Sequence, residues 1–470
     1  MVVAKAADGL HSDQWFHISG LYDNLRADFL IPHVENWNFR PLGYRVVLGV
    51  LTVVPLNIGG WTAASFASIA AAYSLLWALS VIVLVRPRRL TDAALTALAL
   101  LIAGAQNSWT TLSADELAGF AMMLAVLAIV RAPPVRGVPA LLVAATLILG
   151  FFLLKGVTLI LVAPVAVAAA IRWGLKTTLA SWILGAALAA SFAALALPRE
   201  IRWLTESQVY HADRPRSWGW DDLAVLADHD MFVVPTVIGL LVLPAMLWRR
   251  RAAHVAAVTA TAAIAAVAVD ALQGTTWSYH AAPLYAAIAT GLLLLAQRGL
   301  EQGANPNGPE GRGLAVAVWI ALIGGVTWVL VAFGPAQTSE HPVLRELPGI
   351  GSTQEVLYLT YGTDRAATGY PFACSYFSAH PLQRVTPDQV ENNPNLASSR
   401  ALLRCAIDYA GPAVLLNLDW FDPEDAGYER LTHRLCTEWQ EVPLGPEYES
   451  TQVLLAPGSG TQPEFCSSHE

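Results

Sequence analysis

Carboxylates, arginines and aromatic rings crowd into two segments of the sequence. The first runs Asp8-Gly-Leu-His11-Ser-Asp13-Gln14-Trp15-Phe16-His17 and continues to Trp37-Asn-Phe-Arg40-Pro41-Leu42-Gly-Tyr44-Arg45. The second runs from Arg199-Glu200-Ile-Arg202-Trp203 to Trp218-Gly-Trp220-Asp221-Asp222. A carboxylate beside aromatic rings can act as a general base on a hydroxyl held in a cleft. Asp13 is the candidate for that role, although a loop acid or a helix N-cap would place the same residue there. Trp and Tyr at such positions also anchor a chain at the headgroup level of a membrane.

Three further positions carry chemistry inside apolar surroundings. Lys155 interrupts Gly150-Phe-Phe-Leu-Leu-Lys155-Gly156. It is either a snorkelling lysine or a cation placed to meet a phosphate at the membrane surface. Asp115 and Glu116 open another apolar stretch, and one of the two suffices to cap a helix. Thr276-Trp277-Ser-Tyr279-His280-Ala-Ala-Pro283 opens a third, where Tyr279 and His280 are able to bond a sugar or a phosphate. There is no phosphate-binding glycine loop, no HExxH and no CxxC pair. The spacing of His11, Asp13 and His17 is not that of a metal site, so no metal and no cofactor is assigned.

These residues are set in a chain of 470 residues that is 55% apolar and 14% charged. Its mean hydropathy is +0.47. Soluble globular chains carry about 25% charged residues. The composition therefore excludes a disordered chain, a coiled coil, a nucleic-acid binder and an ordinary cytosolic enzyme. Charge-free runs of ~17–25 residues read as membrane spans. Such runs lie at about 61–85, 93–108, 114–130, 137–153, 156–171, 178–197, 231–248, 253–269, 280–296 and 313–333. This makes about ten spans in a bundle over 46–333. The shorter apolar piece 44–58, with Pro55 near its end, is expected to be a juxtamembrane or half-buried helix. No apolar signal sequence follows the start.

The loops sort by charge. Those around 86–89, 131–136, 172–176, 249–251 and 298–312 carry twelve Lys/Arg against three acids. By the positive-inside rule these face the cytoplasm. Residues 1–45, 106–116, 198–230, 270–279 and 334–470 then lie outside. The net charge of −8 is a sum of opposites, because 334–470 alone holds seven Lys/Arg and eighteen acids.

Segment 334–470 has no membrane run. Val356–Leu359 and Ala413–Leu418 read as buried strands, and 396–410 and 426–440 have helical spacing. A small extracytoplasmic α/β domain is expected. All four cysteines, Cys374, Cys405, Cys436 and Cys466, lie in it. Two disulfides suit that compartment, with three possible pairings.

The order of these features resembles the integral-membrane glycosyltransferases of the family C fold, which include the protein mannosyltransferase and aminoarabinose transferase groups. The resemblance covers roughly 8–335. It rests on His11-Ser-Asp13-Gln14-Trp15-Phe16-His17, Arg40-Pro41-Leu42-Gly43-Tyr44, Asp115-Glu116, Lys155 and Tyr279-His280-Ala-Ala-Pro283, in that order. It implies inverting transfer of a hexose or pentose from a polyprenyl-phosphate donor to a hydroxyl of a glycan, lipid or protein acceptor. The resemblance makes Asp13 the catalytic base. It makes Lys155, Arg202 and His280 the holders of the donor phosphate, because cations stabilise the charge that develops on the leaving group. Asp8, Arg40, Asp115, Glu116 and Tyr279 would contact acceptor or sugar. The partners would be the donor, membrane lipids and the acceptor, with no nucleic acid, in a bacterial plasma membrane. Family members carry a span before the acidic loop, so a first helix is expected to be missing here. A transporter and a non-catalytic lipid- or glycan-binding envelope protein are the alternative readings. No internal repeat of the kind transporters carry is evident.

Overall fold

The computed structural model describes residues 41–59, 63–87, 89–104, 112–198, 200–201, 204–205, 243–244, 252–273, 278–298, 346–361, 368–376, 378–383, 385–445, 448, 452–458 and 460–469. The described chain is mostly helical, with a small sheet in its C-terminal part. It divides into two compact units. One contains the helices of 63–196 and 253–298. The other contains the helix at 42–59, the segment around 200 and the C-terminal domain.

In the first unit, α2 (Ala63–Val85), α3 (Leu90–Gly104), α4 (Ala114–Arg131) and α5 (Val138–Leu154) follow one another. A 3-10 turn, Gly156–Leu161, leads into α6 (Val162–Trp173) and α7 (Leu175–Ala196). Helix α8 (Ala253–Gln273), a second 3-10 turn (Ser278–Ala281) and α9 (Ala282–Arg298) are its remaining described elements. Helix α1 (Leu42–Gly59) belongs to the other unit.

Among the described residues, five stretches are long and apolar enough to cross a membrane: Leu42–Gly59, Ala64–Val85, Gly156–Trp173, Leu175–Ala196 and Ala253–Gln273. Thr91–Gly104, Val138–Leu154 and Ala282–Gln297 are shorter apolar helices. The piece expected to be a juxtamembrane or half-buried helix is one unbroken helix, Leu42–Gly59, and Pro55 does not end it. The stretch 156–171 opens with a 3-10 turn, a tighter winding used in short pieces where a helix changes course. The expected spans at 231–248 and 313–333 lie almost wholly outside the described residues.

The helices pack through small residues, which let backbones approach closely. A Cβ built on Gly185 of α7 would lie 2.9 Å from Ala144 Cβ and 2.9 Å from the Ala145 amide nitrogen of α5. One built on Gly119 of α4 would lie 3.0 Å from Ala286 Cβ and 3.1 Å from Pro283 Cα of α9. Trp77 of α2 packs on Phe120 of α4, with ring centroids 4.0 Å apart.

The helix C-termini at Val85 and Arg131 are closed by long side chains. Arg131 donates to the carbonyls of Val83 and Leu84, and Arg172 donates to that of Ala132 at 2.9 Å. A cation on these carbonyls satisfies unpaired acceptors and opposes the negative end of the helix dipole. Arg131 and Asp115 are sixteen residues apart on α4, hence about 24 Å along its axis at ~1.5 Å per residue. Basic and acidic groups thus mark opposite ends of this helix.

The C-terminal domain holds a four-stranded sheet of order β1-β2-β4-β3, made of β1 (Leu357–Leu359), β2 (Val414–Asn417), β3 (Gln440–Val442) and β4 (Gln452–Ala456). β1 pairs parallel with β2, with Tyr358 opposite Leu415. β4 runs antiparallel to both β2 and β3. Helices α10 (His380–Gln383), α11 (Pro387–Asn392) and α12 (Ala397–Asp408) lie between β1 and β2 in sequence, and α13 (Glu429–Glu438) follows β2.

Side chains alternate across the sheet. Leu357, Leu359, Val414, Leu416 and Leu455 join the core that contains Leu402, Leu431 and Leu435 of the helices. Val356, Tyr358, Leu415 and Leu454 pack on the other face with Leu347, Tyr370 and Tyr448. Both faces are therefore covered, which explains why β1 and β2 are continuous apolar runs. Cys374 pairs with Cys405, and Cys436 with Cys466. Of the three possible pairings, this is the one in which each bridge joins neighbours in sequence. The strands and helices expected at 356–359, 413–418, 396–410 and 426–440 are present within a few residues of those limits.

Candidate functional site

At one end of the first unit, α4 begins, α5 breaks and α8 ends. Three polar side chains meet there. Lys155 Nζ donates to Asp115 Oδ2 at 2.7 Å and to Gln273 Oε1. Gln273 Nε2 donates to Asp115 Oδ1 at 3.0 Å. Each group thus touches the other two, across 40 residues between Asp115 and Lys155 and 118 between Lys155 and Gln273. The amide orientation follows from charge. An ammonium needs an acceptor and a carboxylate needs a donor, so the Gln273 oxygen faces Lys155 and its nitrogen faces Asp115.

The local sequence builds each corner. Helix α5 stops at Lys155, whose extended backbone precedes Gly156. Thr158 Oγ1 then donates to the carbonyls of Phe151 at 3.0 Å and Lys155 at 2.7 Å, closing the end of the helix. On α4, Ser113 is the N-cap and its hydroxyl accepts from the Glu116 amide at 3.1 Å. Glu116 Oε2 accepts from the Leu112 amide at 2.8 Å. Leu112 has φ +62°, a conformation uncommon outside glycine and asparagine, and Glu116 holds it there.

The two adjacent acids have therefore divided their work: Glu116 shapes the helix start and Asp115 meets the lysine. Asp115 is 0% exposed and the Lys155 side chain 16%. An isolated charge so placed would cost several kcal/mol in desolvation. The pairing, with hydrogen bonds to both carboxylate oxygens, offsets that cost.

His280 is buried in the 3-10 turn Ser278–Ala281, which follows α8 and packs against α4, α8 and α9. It lies at the same end of the unit as Asp115. Tyr279 shares that turn. Asp8, Asp13, Arg40 and Arg202 lie outside the described residues. Among the described residues, no group of three His, Cys, Asp or Glu is arranged to hold a metal ion.

Gln273 has no counterpart in the sequence reading. A glutamine at the end of an apolar helix is unremarkable on its own, and only the fold brings it to Lys155. The signal that could have found it is its position, the last residue of a long apolar helix, three residues after Asp270.

The second unit holds another buried ion pair. Arg45 Nη2 bonds Glu200 Oε1, and Glu200 Oε2 accepts from the Leu42 amide at 3.1 Å. The side chains are 3% and 7% exposed. Leu42 opens α1, so Glu200 places negative charge at a helix N-terminus, where it is favoured. The two charged, aromatic segments of the sequence are joined at this point.

No family model matches the chain, and no curated protein or solved structure matches it significantly.

Proposed function

We propose that this chain is a multi-pass membrane glycosyltransferase of the bacterial plasma membrane. It would move a sugar from a polyprenyl-phosphate donor to a cell-envelope hydroxyl at the outer face. The observation that carries the reading is the cluster of Lys155, Asp115 and Gln273 at one end of an apolar helical unit, with His280 at that same end. Ionisable groups within apolar helices are expensive, and where they occur they mark substrate or ion paths. The resemblance to family C glycosyltransferases rests on the sequence motifs, and two members of that set, Asp115 and Lys155, are hydrogen-bonded to each other.

In this reading Asp13 takes the proton of the acceptor hydroxyl. The acceptor oxygen attacks the anomeric carbon, and the bond from that carbon to the phosphate oxygen breaks. The lipid phosphate leaves with the electron pair, and Lys155, Arg202 and His280 stabilise its charge. By the resemblance, Asp8, Arg40, Asp115 and Tyr279 would contact acceptor or sugar, whereas the Glu116 carboxylate accepts from the Leu112 amide. The acidic C-terminal domain is extracytoplasmic, as its disulfides favour.

Membranes carrying the full chain, supplied with a labelled polyprenyl-phosphate sugar, test the proposal. Asp13→Asn and Lys155→Met are each expected to lower transfer at least 100-fold, in the range seen when a general base or a charge-stabilising donor is removed. Unchanged turnover in both variants would sink it.

One observation favours a second reading. A Lys–Asp pair beside a broken helix is also how membrane transporters build an ion or substrate path. Solute uptake into proteoliposomes that Lys155→Met abolishes, with no sugar transfer, would select a transporter. Donor binding without either activity would select a lipid- or glycan-binding protein.

A further inference from the structure

Lys155 Nζ and Gln273 Nε2 form a pair of donors aimed at the two oxygens of a single anion, and Asp115 is that anion here. We infer that Asp115 is a built-in placeholder, and that a phosphate-bearing ligand binds this site by displacing its carboxylate. The inference rests on the proposed role of Lys155 in holding a phosphate.

Three features of the site support exchange over a permanent strut. A phosphate presents the same elements as the carboxylate, negative charge and at least two oxygens, so it can take the same two donors. Lys155 sits where α5 breaks, with Gly156 after it and a 3-10 turn following. Its side chain retains some exposure whereas Asp115 has none, so an incoming ligand meets the lysine first. Finally, Asp115 is the second residue of α4. A carboxylate released from Lys155 still lies at the positive end of a helix dipole, which lowers the cost of letting go.

The arrangement makes a prediction that a phosphate-binding lysine alone does not. The carboxylate competes with the ligand, so removing its charge strengthens binding. Adding a second carboxylate weakens it. A purely structural network would respond differently, with every disruption weakening binding.

The experiment uses the full chain in a non-ionic detergent, titrated with farnesyl phosphate, inorganic phosphate and farnesol. Tryptophan fluorescence reads binding and a thermal melt reads folding. The wild type is expected to prefer farnesyl phosphate to farnesol. Asp115→Asn is expected to bind farnesyl phosphate about tenfold more tightly, corresponding to ~1.4 kcal/mol, with farnesol unaffected. Gln273→Glu is expected to bind it about tenfold more weakly, and Lys155→Met to lose the preference.

Inorganic phosphate that competes shows that the headgroup suffices. If it does not compete while farnesyl phosphate does, the ligand is a lipid phosphate. Either result is compatible with the exchange if Asp115→Asn tightens binding. A wild type that prefers farnesyl phosphate together with a folded Asp115→Asn that binds it no more tightly overturns the placeholder and leaves the phosphate site standing. A wild type with no preference overturns both. Should Asp115→Asn fail to fold, Gln273→Glu decides, and unchanged or tighter binding there overturns the inference.

Discussion

The apolar helices before residue 300 and the C-terminal domain treat apolar surface in opposite ways. Among the described residues, every large apolar side chain left exposed lies between Val50 and Leu272. Ile183 is 68% exposed and Leu195 84%. The described residues of the C-terminal domain include none, because helices cover one face of its sheet and Leu347, Tyr370 and Tyr448 the other. Contiguous exposed apolar surface is rare on proteins in water, and it is the normal condition in lipid. The difference is the one expected between helices that could face lipid and a domain that faces water. Where lipid replaces water, close backbone contact must hold the helices together. Where water remains, burial does so, and the disulfides add to it.

The sharpest way to break the comparison is to remove the disulfides. Each closes a loop of about thirty residues, with separations of 31 and 30. Chain entropy puts the stabilisation near 3–4 kcal/mol per bridge. Serine at Cys374 and Cys405, or at Cys436 and Cys466, is expected to raise hydrogen exchange in β1 and β2 strongly. Exchange in α4 to α7 should not change. Equal loss in both units would mean that they do not unfold separately.

The second prediction acts on the bundle. Gly185 approaches Ala144 and Ala145 so closely that any Cβ there forces a shift, whereas a Cβ on Gly150 of α5 meets nothing within 4 Å. Gly185→Leu is expected to cost about 1–3 kcal/mol by overpacking. Gly150→Leu should be neutral or slightly stabilising, because leucine is the better helix former. Thermal melts of the two variants in detergent measure the contrast. Similar melting points would show that α5 and α7 do not rely on this contact.

Much of this division was legible in the sequence, and the reasons it stops are physical. Val356–Leu359 and Ala413–Leu418 stood out because a strand buried on both faces is a continuous apolar run. β3 was not visible, because Gln440–Val442 is a half-buried edge strand with no such run. The cysteine pairing needed the fold, since it depends on α12 passing the turn at Ala373–Ser375 and α13 passing the C-terminal turn at Glu464–His469. Lys155, Asp115 and His280 could be singled out because a polar group in an apolar run is costly. Gln273 could not, since an uncharged amide at a helix end carries little penalty. Glu116 is ambiguous from sequence, because a capping carboxylate and a ligand-binding one read alike until the Leu112 amide is seen to point at it.

The smallest effects test the same contrast within one kind of bond. Thr386 caps α11 and forms a capping box with Gln389, the two bonds being 3.3 and 3.0 Å long and exposed. Ser113 caps α4 by one bond to the Glu116 amide, and that bond is buried. If Thr386 becomes alanine, water can serve the freed amide, and about 1 kcal/mol is expected to be lost. If Ser113 becomes alanine, the Glu116 amide is left in a buried place, and an unsatisfied buried donor costs about 1–3 kcal/mol. Ser113→Ala is therefore expected to be the more damaging of two chemically similar changes. It should also loosen Leu112, which depends on Glu116 for its left-handed conformation. Melting points of the two variants measure the order, and hydrogen exchange at Leu112 and Glu116 locates the loss. The reverse order would mean that water reaches the start of α4, and the environment of Asp115 and Lys155 would then be wetter than their burial implies.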